Sequence, residues 1–231
     1  MGSERVKKKY KLILVSILAI TAILVSTIAI STNANRKNIS EEDILNIANK
    51  VNGKSKLLND DTVIAIVNGQ EVYKGELEYR KVLYDANNQS QGVDDYKTPF
   101  EKICLEKYEK YYAEKNDLKV TEEEIAKEIS HEKEQSIEIK NDDFLNKYIE
   151  NLGLTQEQYW NEYRPIEIER YFTHLKVINH IYENDLEKVG LVKEKVNVQE
   201  NEGYAIDKIE EYLRNQIDIE YIDEKLEKMM K

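Results

Sequence analysis

Sixteen residues constrain this chain more than any others: TVIAIVNGQEVYKGEL, Thr62 to Leu77. An uninterrupted β-branched run from Thr62 to Val67 meets Asn68-Gly69, then a short return at Glu71-Val72, then a charged segment. Asn-Gly tolerates φ > 0 at both central positions of a tight turn, which makes it the strongest short hairpin signal. The segment therefore predicts strand, turn, strand and helix in quick succession.

Composition decides what surrounds that unit. The 231 residues hold two prolines and eight glycines, with 34% charged and 41% hydrophobic side chains. So few turn-formers suit a helix-rich body and not a many-stranded sandwich. Charge is uneven. Residues 1–35 contain Arg5, Lys7, Lys8, Lys9 and Lys11 against Glu4, so the remainder is strongly acidic within a total of −11. An acidic body repels phosphate backbones, which disfavours nucleic-acid binding. Cys104 is the lone cysteine, so no intramolecular disulfide can form.

Leu12 to Ser31 (LILVSILAITAILVSTIAIS) carries no charge. Twenty helical residues span about 30 Å, the thickness of a bilayer core. The basic residues ahead of it place the N-terminus in the cytoplasm and the rest outside, so the expectation is a single-pass cell-membrane protein. A cleavable signal cut after Ala34 is the competing reading. The apolar run is longer than the usual signal core, and Thr32-Asn33-Ala34 is a poor cleavage site, which favours the anchor.

Further along, Ser40 and Asp43 form a capping-box pattern for a helix ending at Asn52-Gly53. Residues 53–61 read as polar linker. A helix is expected from Lys74 to Ala86 with Leu77, Val82 or Leu83, and Tyr84 on its apolar side. Thr98-Pro99 marks the start of the next, running to about Asn116. Thr121 and Glu124 repeat the capping pattern ahead of a helix to about Gln135. Gly153 stops one helix and Thr155 caps another, which runs to about Tyr182 with Pro165 inside it as a kink. Tyr204 to Met230 reads as a last helix, with Ile206, Ile209, Leu213, Ile217, Tyr221, Leu226 and Met229 toward one face.

Three passages resemble one family in order: the Val63–Leu77 unit, Leu118 to Glu124, and Asn151 to Trp160. They are similar to the N-terminal chaperone module of SurA- and PrsA-type extracytoplasmic proteins. Tyr73 stands where that family often has a Ser or Thr cap. The resemblance implies a mainly α fold, a helical SurA N-terminal-like module with a short β-hairpin, here preceded by one transmembrane helix. The division it implies is a basic tail (1–11), an anchor (12–31), a juxtamembrane helix and linker (32–61), the chaperone domain (62–182), a connector (183–203) and a C-terminal helix (204–231). Family members usually carry a parvulin-type prolyl isomerase domain where the connector lies. Twenty-one residues, including Val196-Asn197-Val198, cannot enclose an independent core. The implied function is an ATP-independent chaperone for unfolded or secreted polypeptides, without cofactor or isomerase activity. Two alternatives stay open: a peptidyl-prolyl cis-trans isomerase, and an interaction protein dedicated to one envelope or spore-associated partner.

Residues able to carry catalysis are scarce. His131, His174 and His180 lack zincin-type spacing, and the last two lie on different sides of a helix, so structural or solvent-facing roles are expected. Carboxylate runs such as Glu122 to Glu124 are ordinary helix starts. Cys104 reads as a buried small apolar residue. Sixteen tyrosines against three phenylalanines are the unusual component. Tyr108, Tyr111, Tyr112, Tyr148, Tyr159, Trp160, Tyr163, Tyr171 and Phe172 crowd the central helices. Packing with rings half buried accounts for many such residues. The functional alternative is a shallow cradle for client polypeptide, since aromatic rings bring contact area at small entropy cost.

Overall fold

The computed structural model describes residues 40–87, 95–138, 142–191 and 202–230. The apolar run Leu12 to Ser31, its basic tail and Val196 to Val198 lie outside the described residues. Among the described residues no helix is long and apolar enough to cross a membrane.

The fold is mainly helical with one small sheet. Helix α1 (Glu41–Val51) opens on the expected reciprocal cap, with Asp43 N donating to Ser40 Oγ at 3.2 Å and Ser40 N donating to Asp43 Oδ2 at 3.0 Å. Residues 53–61 are not plain linker. They hold a 3-10 turn, Ser55–Asn59, whose Leu57 carbonyl sits where any side chain at Gly75 would point. Strands β1 (Val63–Val67) and β2 (Gln70–Tyr73) form the hairpin, paired antiparallel through Ala65–Val72 and Val67–Gln70, with Asn68 and Gly69 at positive φ. Helix α2 (Lys74–Ala86) follows at once. Tyr73 supplies no cap oxygen; instead its N–H donates to Glu76 Oε2 at 3.0 Å.

Helix α3 (Lys97–Lys115) begins ahead of the expected Thr98-Pro99 start. Asp95 explains the difference: its Oδ1 accepts from the N–H groups of Lys97 and Thr98, satisfying donors that Thr98 alone would leave bare. Helix α4 (Glu122–Glu138) has the Thr121–Glu124 box and continues past Gln135. Helix α5 (Asp142–Asn151) ends at Gly153, whose φ is +74°. Thr155 then caps a short turn, Gln156–Gln158. A π-helical turn, Tyr159–Tyr163, leads into the long helix α6 (Arg164–Asn184). The run from Gln156 to Asn184 is helical throughout, so Pro165 lies inside the long helix as expected, directly after the π turn. Arg164 N donates five residues back to Tyr159 O, and the widened turn relieves the carbonyl that proline could neither bond nor clear.

The C-terminal part corrects the expected single helix. Helix α7 (Glu202–Arg214) stops, strand β3 (Ile219–Tyr221) joins the far side of β1, and helix α8 (Glu224–Met230) closes the described chain. Sheet order is β2-β1-β3, all antiparallel. Ile217, Ile219 and Tyr221 alternate with Asp218 and Glu220, a period of two that fits a pleated surface with one side inward. Ile206, Ile209 and Leu213 keep to the helical face expected of them, but Ile217 and Tyr221 belong to the strand region.

Three larger apolar clusters hold these elements. One joins α1, α2 and α5 to the π turn through Ile44, Ala48, Leu83, Ile149 and Tyr159. A second sets the sheet against α3 and α8 through Val67, Val72, Phe100, Ile103 and Leu226. The third packs α3, α6 and α7 through Leu105, Val177, Ile181, Ile209 and Leu213. Each Val, Leu, Ile or Phe among these stabilises the fold by about 1.5–3 kcal/mol of removed apolar surface. Helix α1 is thus packed into the body.

Candidate functional site

The long helix α6 is positioned by charge as much as by apolar packing. Arg164, Glu167, Arg170 and His174 recur at three- and four-residue spacing, so they share one side of the helix. Arg164 reaches α4, where its Nε and Nη2 donate to the two carboxylate oxygens of Glu132 at 2.7 and 2.5 Å. Both side chains are more than nine-tenths buried. Arg170 donates to Glu167 at 2.5 Å and lies 3.8 Å from Glu106 on α3. Arg80 on α2 clasps the same Glu106 with a two-pronged pair at 2.8 and 2.7 Å. Burial alone would raise the Glu106 carboxyl, but Arg80 and Arg170 outweigh it and hold the group down at about 2. His174 Nδ1 lies 2.7 Å from Glu109 Oε1, and Glu109 is only 2% exposed. Toward the far end, Lys176 donates to Glu124 Oε2 at 2.7 Å and to the Lys119 carbonyl at 2.9 Å.

These pairs run Glu132 to Arg164 and Glu124 to Lys176, so α4 lies antiparallel against α6. Glu132 is the single α4 residue among those described that is fully buried. Apolar side chains on this helix pair stay half open. Ile125 and Ile129 on α4, and Tyr171, Phe172 and Leu175 on α6, are partly exposed, while Ile166 is 63% exposed. None belongs to the three clusters above. Tyr171 and Phe172 have ring centroids 6.1 Å apart, and the Tyr171 hydroxyl is pushed up to about 12 by partial burial with the Glu128 carboxylate beside it.

The nine aromatic residues singled out from sequence divide three ways. Tyr148 and Tyr159 are sealed in the first cluster, 4% and 2% exposed, with Trp160 and Tyr163 packed on them. Burial pushes the Tyr148 hydroxyl up to about 12 and raises those of Tyr159 and Tyr163 as well. Tyr108 is buried in the third cluster, with Tyr111 and Tyr112 at its rim. Tyr112 is also pushed up to about 12, by burial and by Asp185, to which its hydroxyl donates at 3.4 Å. Only Tyr171 and Phe172 sit on the open α4–α6 pair. The nine do not converge on one cradle, and Tyr108, Tyr148 and Tyr159 are corrected to core residues. Their rings complete the apolar layers between helices, which leaves them no face for a client.

The remaining candidates also have structural places. His131 Nε2 lies 3.1 Å from Gln135 Nε2, and His180 packs its ring against Tyr112. Cys104 is buried, with its thiol pushed up to about 12 by burial. Among the described residues no group of three or more His, Cys, Asp or Glu is placed to hold a metal ion. The ion network centred on Glu106, Glu132 and α6 is what sequence reasoning missed. Its one signal was the three- and four-residue spacing of Arg164, Glu167, Arg170 and His174. Compared with known proteins, the chain matches no family model, no curated protein and no solved structure.

Proposed function

We propose that this chain is an ATP-independent chaperone of the holdase type, displayed outside the membrane and binding unfolded or secreted polypeptides. The observation that carries the reading is the α4–α6 pair. Its backbone is pinned by buried ion pairs, while Ile166, Tyr171, Phe172 and neighbouring side chains remain partly open to solvent. A rigid frame bearing wettable aromatic and aliphatic groups can take extended apolar segments without demanding one sequence. The SurA- and PrsA-like order of hairpin, capped helices and Gly153–Thr155 passage supports the same reading.

The anchor gives this surface its place. Residues 32–40 can reach at most about 30 Å from the end of the apolar run. Helix α1 is packed into the body through Ile44, Ala48 and Val51, so the body is held near the membrane where exported chains emerge.

Light scattering of a denatured client tests the reading, using the full chain in zwitterionic nanodiscs. Suppression of aggregation near stoichiometric amounts is expected, and Tyr171→Ser/Phe172→Ser should lose most of it while keeping native far-UV dichroism. Full aggregation in the presence of several-fold excess wild type counts against the proposal. A proline-peptide assay separates the enzyme alternative, because turnover above buffer would require an isomerase site.

A further inference from the structure

We infer that the α4–α6 surface selects polypeptide segments in which apolar residues are interspersed with Lys or Arg; this rests on the chaperone reading and narrows its client class. Between Glu122 and Asn184 the chain carries fifteen Asp or Glu against seven Lys or Arg. Four of those cations are held in ion pairs, Arg164 by Glu132, Arg170 by Glu167, Lys147 by Asp143 and Lys176 by Glu124, while Lys127 on α4 is exposed. Lys133 lies over the Trp160 ring at 5.1 Å. The carboxylates left facing solvent stand beside the open apolar side chains. Glu162 and Glu169 are exposed and fall one turn either side of Ile166, Glu169 lies one turn before Phe172, and exposed Glu122 lies one turn before Ile125.

Ile125, Ile166 and Phe172 thus each have an exposed carboxylate within a turn. A client segment with Lys or Arg near its own apolar residues gains attraction at these three anchors. An acidic one meets repulsion there. Exposed charge pairs are individually weak, so the preference accumulates over several contacts and is screened by salt. The same field disfavours an anionic lipid surface or a nucleic acid as occupant, which leaves polypeptide as the partner this surface fits.

Fluorescence anisotropy decides it, with full-length protein in zwitterionic nanodiscs and three labelled peptides of equal apolar content. One is interspersed with Lys and Arg, one with Ser, one with Glu. The cationic peptide should bind about tenfold tighter than the acidic one at low salt, a gap that mostly closes at high salt. Glu162→Gln/Glu169→Gln should shrink that gap, whereas Glu41→Gln/Glu42→Gln, which removes as much charge from the start of α1, should leave it. Equal binding of the three peptides, or equal effects of the two double variants, overturns the selectivity while the chaperone reading stands. Absence of binding by any peptide defeats the chaperone reading itself, and the selectivity with it.

Discussion

Asn68 and Asp218 are clasped across 150 positions of sequence. Asp218 N donates to Asn68 Oδ1 at 3.0 Å, and Asn68 N donates to the Asp218 carbonyl at 3.0 Å. The turn residue that reverses the hairpin therefore also docks the approach to β3. Asn68 has φ of +46°, so it meets two demands at once: a left-handed backbone and a side-chain acceptor. Asn68→Gly keeps the backbone and loses the acceptor, costing about 1 kcal/mol. Asn68→Ala loses both and should cost about 2 kcal/mol. Urea denaturation should rank wild type above Gly and Gly above Ala; an alanine variant as stable as the glycine variant would contradict the account.

The Arg164–Glu132 pair makes a different prediction. Both groups have left water, so truncating one leaves the other charged and buried. Arg164→Met should therefore destabilise by about 3 kcal/mol. Replacing both, as Arg164→Met/Glu132→Leu, removes the desolvation cost together with the attraction and should come within about 1 kcal/mol of wild type. A double-mutant cycle in urea measures the coupling. Additive single effects would mean that the pair does not hold α4 to α6.

What could be read from sequence was what is settled locally. The caps at Ser40, Thr121 and Thr155, the Asn68-Gly69 turn and the Gly153 stop each involve partners within a few residues, and the structure has all of them. Asp95 was overlooked because proline after threonine is the louder start signal. Strand β3 escaped for a longer-range reason. Its three residues become a strand by pairing with the open side of β1, a partner about 150 positions earlier that no local pattern names. The tyrosines were ambiguous in principle, because a ring with a hydroxyl fits a rim and an interior equally well. Ion pairs such as Arg164–Glu132 were invisible because isolated charges on a helix read as solvent-facing until a second helix covers them.

Cys104 offers a probe of how tightly the sheet sits on α3. The thiol is 2% exposed, beside Phe100 and Ile103 in the cluster under the hairpin, and burial pushes it up to about 12. Thiolate is the reactive form, so both access and ionisation protect it. A thiol reagent near pH 8 should label native protein only as fast as it opens, and label it immediately in strong urea. Asn68→Ala should speed native labelling, since loosening the clasp to β3 uncovers the same cluster. Rapid labelling of the folded wild type would show that the hairpin does not seal this layer.

Acid sensitivity should trace to Glu106. Its ordinary value is 4.5, and the folded protein holds it at about 2 because Arg80 and Arg170 together outweigh burial. The sign follows from linkage: above pH 4.5 the group is ionised folded or unfolded, and its ion pairs contribute in full. As pH falls below 4.5 the unfolded chain takes up the proton first, so stability drains away until the folded carboxyl titrates near 2. The group is 16% exposed, and the loss across this window is up to about 3 kcal/mol. Glu106→Gln keeps the shape, removes the titration and takes from Arg80 its two-pronged carboxylate, while Arg170 keeps Glu167. Urea midpoints at pH 7 should therefore be lower for the variant, while the fall between pH 5 and pH 2 should be shallower than in wild type. Other carboxylates titrate in both proteins and cancel in the difference. Parallel acid limbs would mean that Arg80 and Arg170 are not the source of the depressed value.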